Sequence, residues 1–407
     1  MTATLFSVRE PLRVPAGMLS LIDRDIAKAM NLVPDIGGSM PRGIHASGDL
    51  VTQTADGMDL NRLWNEFQAS LQIFNEKRDS LVRLLTYPIT NASEDVFQAG
   101  AQAEFEDASE YGLPVGYRPQ ATSAVMGFDF KWRDLGGYFT WQFLSEAPAS
   151  QVQAFNNMAI EADNRTVFKK VMNTLFNNTR RTNKEGNVVY PFYNGQNIDA
   201  FDTPPQWGAT VHAAGHNHFL TVGATLEPSD VEGMQDHLTH HGYSQARGNT
   251  LILMVNQAQG DAMRNWRSTA NGGTGRYDFV PASNTPSFLL PVDLRTEGRA
   301  VPTTYNGFDV IGGYGQFIII QDDYVPASYL VGFATGGVDS LPNPIGFREH
   351  AQANLRGLRL VKGRTPDYPL IDSVYNHGFG TGVRHRGAVV VAQITAGAYS
   401  IPTEYAL

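Results

Sequence analysis

"PASQVQAFNNMAIEADNRTVFKKVMNTLFNNTRR", residues 148–181, carries the longest helical pattern in the chain. Val152, Phe155, Ala159, Ala162, Val171, Leu175 and Phe176 recur at helical spacing with polar residues between them. Pro148 stands where a helix can begin without losing a hydrogen bond. The pattern predicts one helix over 149–181, a rod of roughly 50 Å at 1.5 Å per residue, longer than an ordinary globular helix. Such a spine suits an extended subunit.

Immediately before it, "MGFDFKWRDLGGYFTWQFL" alternates twice. Phe128, Phe130 and Trp132 interleave with Asp129, Lys131 and Arg133; "DLGG" offers turn chemistry; then Phe139, Trp141 and Phe143 alternate again. This predicts a two-stranded hairpin whose aromatic face must lie on something, because an isolated hairpin is marginal in water. Further upstream, "DLNRLWNEFQASLQIFNEKRDSLVRLLT" predicts a helix over 59–86, with Asp59 as N-cap and Pro88 ending the pattern. Residues 1–57 show no sustained period and read as an extended arm.

Downstream, "EGNVVYPFYNG" returns to strand. From about 200 to 360 strands and helices alternate: "TLILMVN", "FIIIQ" and "YLVGFA" read as buried strands, and "TLEPSDVEGMQDHLTHHG" as a helix with Pro228 in its first turn and Gly242 after its end. The chain closes with "FGTGVRHRGAVVVAQIT" at 379–395, where Arg384, His385 and Arg386 precede a buried strand.

The chain's 407 residues exceed one hydrophobic core, and 17% charged residues leave the charged surface thin. A net charge of −9 argues against a whole-protein nucleic-acid binder. With no cysteine there is no disulfide framework, thiol nucleophile or cysteine-ligated metal. No apolar run is long enough to cross a membrane as a helix, and the N-terminal stretch lacks a signal-peptide pattern, so a cytoplasmic origin is expected.

Catalytic patterns are weak. "HAAGHNH" sets His212, His216 and His218 within one segment, with His237, His240 and His241 a short helix away. Imidazoles at that spacing can hold zinc with an open position for water, the basis of a metal-dependent hydrolase reading. Gly215 breaks a helical face there and no HExxH pattern accompanies the rings, so polar loop or interface histidines are expected instead. "NGGTG" and "IGGYG" lack the strand and helix of a phosphate loop, no GxSxG elbow occurs, and Asp322 and Asp323, adjacent on a strand end, face opposite ways. The 384–386 cluster could bind phosphate; the favoured reading pairs it with a neighbour's acidic segment, such as Glu104, Glu106, Asp107 and Glu110.

The order of arm, hairpin, spine helix, α/β unit and returning strands resembles the major capsid proteins of tailed double-stranded DNA bacteriophages, the Hong Kong 97-type fold. "FLSEAPASQVQAFNNMAIEADNRTVFKKVMNTLF", "HNHFLTVGATLEPSDVEGMQDHLTHHGY", "DDYVPASYLVGFA", "NPIGFREHAQANLRGLRLV" and "YPLIDSVYNHGFGTGVRHRGAVVVAQIT" carry the likeness. It implies an α+β chain divided into an N-terminal arm (1–57), an N-terminal helix and connector (58–103), an extended loop hairpin (104–145), a peripheral domain with the spine helix (146–199), an axial domain (200–364) and C-terminal strands returning to the peripheral domain (365–407).

The resemblance further implies a non-enzymatic subunit, without cofactor or metal, that assembles as pentamers and hexamers into an icosahedral head. The head would enclose DNA without sequence-specific binding or membrane contact, assisted by separate scaffolding, portal and decoration proteins. Subunits made in the host cytoplasm would end in the virion. Contacts between subunits are expected at Phe128, Phe130, Lys131, Trp132, Phe139, Trp141 and Phe143, at Glu104, Glu106 and Asp107, and at Arg384, His385 and Arg386. Lys131 is the sole hairpin lysine and no asparagine partner is identifiable, so crosslinked chains are not expected. The same fold also builds encapsulin compartments around cargo enzymes, the alternative shell reading.

Overall fold

A computed structural model of the chain describes residues 51–76, 80–98, 110, 112, 122–282, 301–363 and 369–406. Most of the expected arm, and Glu104, Glu106 and Asp107, lie outside them. From Thr52 onward the chain forms a single unit.

Asp59 caps α1 (Leu60–Glu76), its carboxylate accepting the Asn61 and Arg62 amides at 2.8 and 3.2 Å. After α2 (Ser80–Leu85), the chain turns to strand: Pro88 sits inside β1 (Thr86–Ile89). An edge strand tolerates a residue that cannot donate to a ladder, and among the described residues β1 pairs only with residues 345–348.

The expected hairpin of residues 128–143 is corrected. The hairpin that forms pairs β2 (Ser93–Gln98) with β3 (Thr122–Gly127). The "DLGG" glycines continue β4 (Lys131–Tyr138), which pairs antiparallel with residues 372–379, and Trp141 begins a helix, α3 (Trp141–Glu146), capped by the Thr140 hydroxyl. A distant partner strand overrode the local turn signal.

The spine forms as α4 (Ala149–Phe176), 28 residues and about 42 Å long. It ends five residues earlier than the pattern suggested, because the Asn177 side chain accepts the Thr179 amide at 2.8 Å and offers the backbone an alternative to the helix. Between β5 (Arg181–Thr182) and β6 (Val188–Val189) the chain makes a small hairpin. There follow β7 (Phe219–Val222), α5 (Pro228–Thr239), β8 (Thr250–Val255), α6 (Gln257–Met263), β9 (Val280–Pro281), β10 (Thr304–Tyr305), β11 (Phe308–Tyr314), β12 (Phe317–Gln321), β13 (Tyr329–Thr335), β14 (Ile345–Glu349), β15 (Arg359–Val361), β16 (Asp372–Val383) and β17 (Val389–Ile394).

Two sheets organise these strands. In the eight-stranded sheet the order is β10-β11-β12-β8-β13-β17-β7, with β9 beside β11. Both of its faces are buried: Ile252, Met254, Val331, Phe333, Val389 and Val391 join the α4 residues Val171, Leu175 and Phe176 on one side. Leu251, Leu253, Leu330, Val390 and Ala392 join Val231, Met234 and Leu238 of α5 on the other. Burial on both faces explains unbroken apolar runs in place of alternation.

The five-stranded sheet is built on β16, which pairs with β4, β14 and β15, with β1 outside β14. Three polar contacts run in step along α4 and β16: Tyr375 to Asn156 (2.9 Å), His377 to Asp163 (2.7 Å) and Thr381 to Thr174 (2.7 Å). The strands do not follow the expected division at residue 364. β14 and β15 pair with β16, whereas β17 lies inside the eight-stranded sheet, so the chain changes sheets within residues 384–388.

Candidate assembly surfaces and a histidine cluster

Phe128 is fully buried within its own chain, and Phe139 is buried between Phe143 (5.7 Å between ring centroids) and Phe155 (5.0 Å). Neither is free to meet a neighbour, which corrects that expectation. Phe130 is half-buried, edge-on to Trp132 at 5.4 Å. Lys131 is exposed, Trp132 is 38% exposed, Phe143 is half-buried and Trp141 is 71% exposed. Leu135, on the same β4 that has no partner but β16 among the described residues, is also exposed.

Of the basic cluster, Arg386 is withdrawn from any neighbour. Arg386 is buried: its Nε donates to the Pro191 carbonyl (2.9 Å), Nη1 to the Phe201 carbonyl and Nη2 to Asp202 (3.3 Å), while its guanidinium lies over Tyr190 and Tyr193. A buried charge without such partners would cost several kcal/mol, on the order of 3–5. Asp202 is shared with Arg180 at 2.9 Å; burial tends to raise its carboxyl, but amides of Ile198 and Asp199 and both arginines hold it below the usual range. Arg384 lies 3.2 Å from Glu94 of β2, and His385 Nε2 is 3.2 Å from the Leu341 carbonyl. The cluster is the crossover between the sheets, tied down inside one chain.

The histidines converge. His212, His216 and His218 come from the loop entering β7, His237 from α5, and His240 and His241 from its C-terminal end. The Nε2 atoms of His216, His218 and His241 stand 2.9 to 3.0 Å from one another, and His240 Nε2 is 3.3 Å from His216. Gly215, at φ +88, lets the loop curl back so that His216 and His218 face the helix end. His218 is fully buried and its Nδ1 contacts the Val389 carbonyl at 2.6 Å. A carbonyl only accepts, so that nitrogen carries the proton and Nε2 presents a lone pair to the cluster.

Burial, then the neighbouring imidazoles, push these rings down, to about 3 for His216, about 4 for His240 and about 2 for His241, and His218 well below its ordinary value. Burial lowers His212, and burial together with the neighbouring His212 lowers His237 against the opposing pull of Asp236. At neutral pH the cluster is a set of uncharged rings. The spacing of each triplet is visible in the sequence, but nothing local tells that the two triplets meet.

No family model matches the chain, and no curated protein matches it. Among solved structures, one of Mycobacterium phage Patience is 39% identical, covers 91% of this chain and 98% of its own, and superposes at TM-score 0.68. The chain belongs to the Hong Kong 97-type major capsid proteins of tailed bacteriophages. The mature capsid of bacteriophage PhiM1 (9% identical, 95% and 100% covered, TM-score 0.46) and a holo-SrpI encapsulin complex of Synechococcus elongatus (12%, 82% and 97%, 0.41) align too weakly to add to this. The capsid protein is a shell subunit and not an enzyme, which removes the hydrolase reading of His212, His216 and His218, and its copies form the capsid of a virion. The phage-capsid reading is better supported than the encapsulin one.

Proposed function

We propose that this capsid protein closes an icosahedral head as pentamers and hexamers around phage DNA, held without sequence-specific contacts, and that β4 is one of its subunit-facing edges. The observation that carries the edge is Trp141, 71% exposed, beside a strand that among the described residues leaves one side of its ladder unpaired and exposes Trp132 and Leu135. A free apolar edge invites a second chain. Residues 99–121 separate β2 from β3 in the sequence, far more chain than a hairpin loop of about 2–5 residues uses. The sheet of β16 with α4 acts as the peripheral region and the eight-stranded sheet as the axial one. An acidic subunit suits a wall around DNA. Scaffolding, portal and decoration proteins complete the head, and subunits are made in the host cytoplasm before entering the virion.

Trp141→Ala combined with Trp132→Ala should leave the subunit folded by circular dichroism but cut shell yield at least about tenfold, the consequence of losing roughly 1.5–3 kcal/mol per buried aromatic at each contact. Negative-stain microscopy and sedimentation read the outcome. Shells at the wild-type yield would remove this edge from the interface.

A further inference from the structure

The structure assigns a function to the histidine cluster that the shell reading does not use: it is a site for one divalent transition-metal ion of zinc-like chemistry. His216 and His240 are ligands common to two overlapping sets, one completed by His212 and His241 and the other by His218 and His237. Four observations support this.

The donor atoms converge. Two overlapping sets, His212 with His216, His240 and His241, and His216 with His218, His237 and His240, each bring one ligand nitrogen per residue within 4.8 Å of the others. Ligands at about 2.0–2.1 Å from a tetrahedral ion stand about 3.3 Å apart, and the observed separations of 2.9 to 3.3 Å are close to that edge.

The lone pairs are left over. One proton can bridge only two nitrogens at a time, so three Nε2 atoms in mutual contact cannot all be satisfied by hydrogen bonds among themselves. His212 Nε2, on a ring 9% exposed, and His237 Nδ1 have no hydrogen-bond partner at all. Buried imidazole nitrogens without partners are costly unless something binds them.

The orientation is preset. His218 is fixed by its Nδ1 proton on the Val389 carbonyl, the arrangement by which a second partner aims a ligating ring. Tyr193 stacks on His241 at 5.7 Å, and Arg386 in turn lies 4.4 Å over Tyr193.

The donor set is all nitrogen. Imidazole without carboxylate or thiolate selects zinc, nickel, cobalt or copper over magnesium or calcium. An ion there would fasten the 212–218 loop, the end of α5 and the first residues of β17 to one another, a fastening this cysteine-free chain cannot make with disulfides.

The test uses the untagged full-length protein, stripped with chelator and dialysed. Titration with Co²⁺ should give the visible absorption of a nitrogen-ligated ion saturating at one equivalent. Zn²⁺ should displace it and raise the thermal midpoint. His216→Gln and His240→Gln, both at half-buried positions, should each weaken Co²⁺ binding at least about tenfold while retaining native circular dichroism, and His350→Gln, outside the cluster, should leave it unchanged. If the stripped wild-type protein binds no more Co²⁺ than a folded His216→Gln, His240→Gln double variant, or if its thermal midpoint ignores Zn²⁺, the site does not exist. Neither readout depends on assembly, so failure here leaves the shell function untouched.

Discussion

Arg384, His385 and Arg386 are contiguous, and contiguity made them look like one patch. Their side chains go to three places, Glu94, the Leu341 carbonyl and Asp202, none of them near in sequence. What separates a basic patch from a buried staple is the location of the counter-charges, and residues 184 positions apart leave no spacing to read. The distinction is measurable in unassembled subunits. Arg386→Met should cost about 3 kcal/mol or more in urea unfolding, since Pro191, Phe201 and Asp202 all lose a buried donor. Arg384→Met should cost about 1 kcal/mol or less, its partner Glu94 being within reach of water. A patch made for a neighbour would behave otherwise, with both variants as stable as wild type and both failing to assemble.

Among elements, those whose pattern is set by their own period were legible. The spine, the α5 helix and the strands β8, β12 and β13 stand within a few residues of where periodicity puts them, because burial of one stripe or both faces writes itself into the sequence. β4 was misread as half of a local hairpin because its partner β16 lies some 240 positions away. Asn156, Asp163 and Thr174, among the polar residues between the apolar positions of the spine, hold the strand that packs beside the helix. On the other face of β16, Gly378, Gly380 and Gly382 at every second position mark a close approach of residues 127–132. A Cβ on Gly380 would stand 1.9 Å from the Asp129 carbonyl oxygen, and one on Gly382 or Gly378 would meet the rings of Phe128 or Trp132. Gly380→Ala should therefore destabilise by about 3 kcal/mol, at the upper end of overpacking costs. Gly233→Ala, within α5 and with nothing near its Cβ position, should stabilise by about 0.5–1 kcal/mol. Thermal or urea unfolding of the two variants decides; equal effects of the same sign would mean that crowding at β16 is not what reserves those positions for glycine.

For the whole molecule, the shell function was readable from order and length of elements more than from any residue, and the histidine cluster was half-readable, since each triplet shows in the sequence but their meeting does not. The internal use of Arg384 and Arg386 also changes what can hold subunits together. Arg386, buried against Asp202, is withdrawn from charge pairing with a neighbour, and Arg384 already pairs with Glu94 within its own chain. With charged residues at 17% of the chain and Trp132, Leu135 and Trp141 exposed, the proposed edge draws its affinity mainly from apolar burial and strand pairing. Raising salt from about 0.15 M to about 0.5 M shortens the screening length well below about 8 Å and weakens exposed ion pairs, but leaves apolar burial intact or slightly strengthened. Shell yield by sedimentation should accordingly change by less than about twofold over that range, and the charge reversal Glu106→Lys should not be rescued by Arg384→Glu. A steep fall in yield with salt, or a rescue by the paired reversal, would restore charge complementarity as the force that sets one subunit against the next.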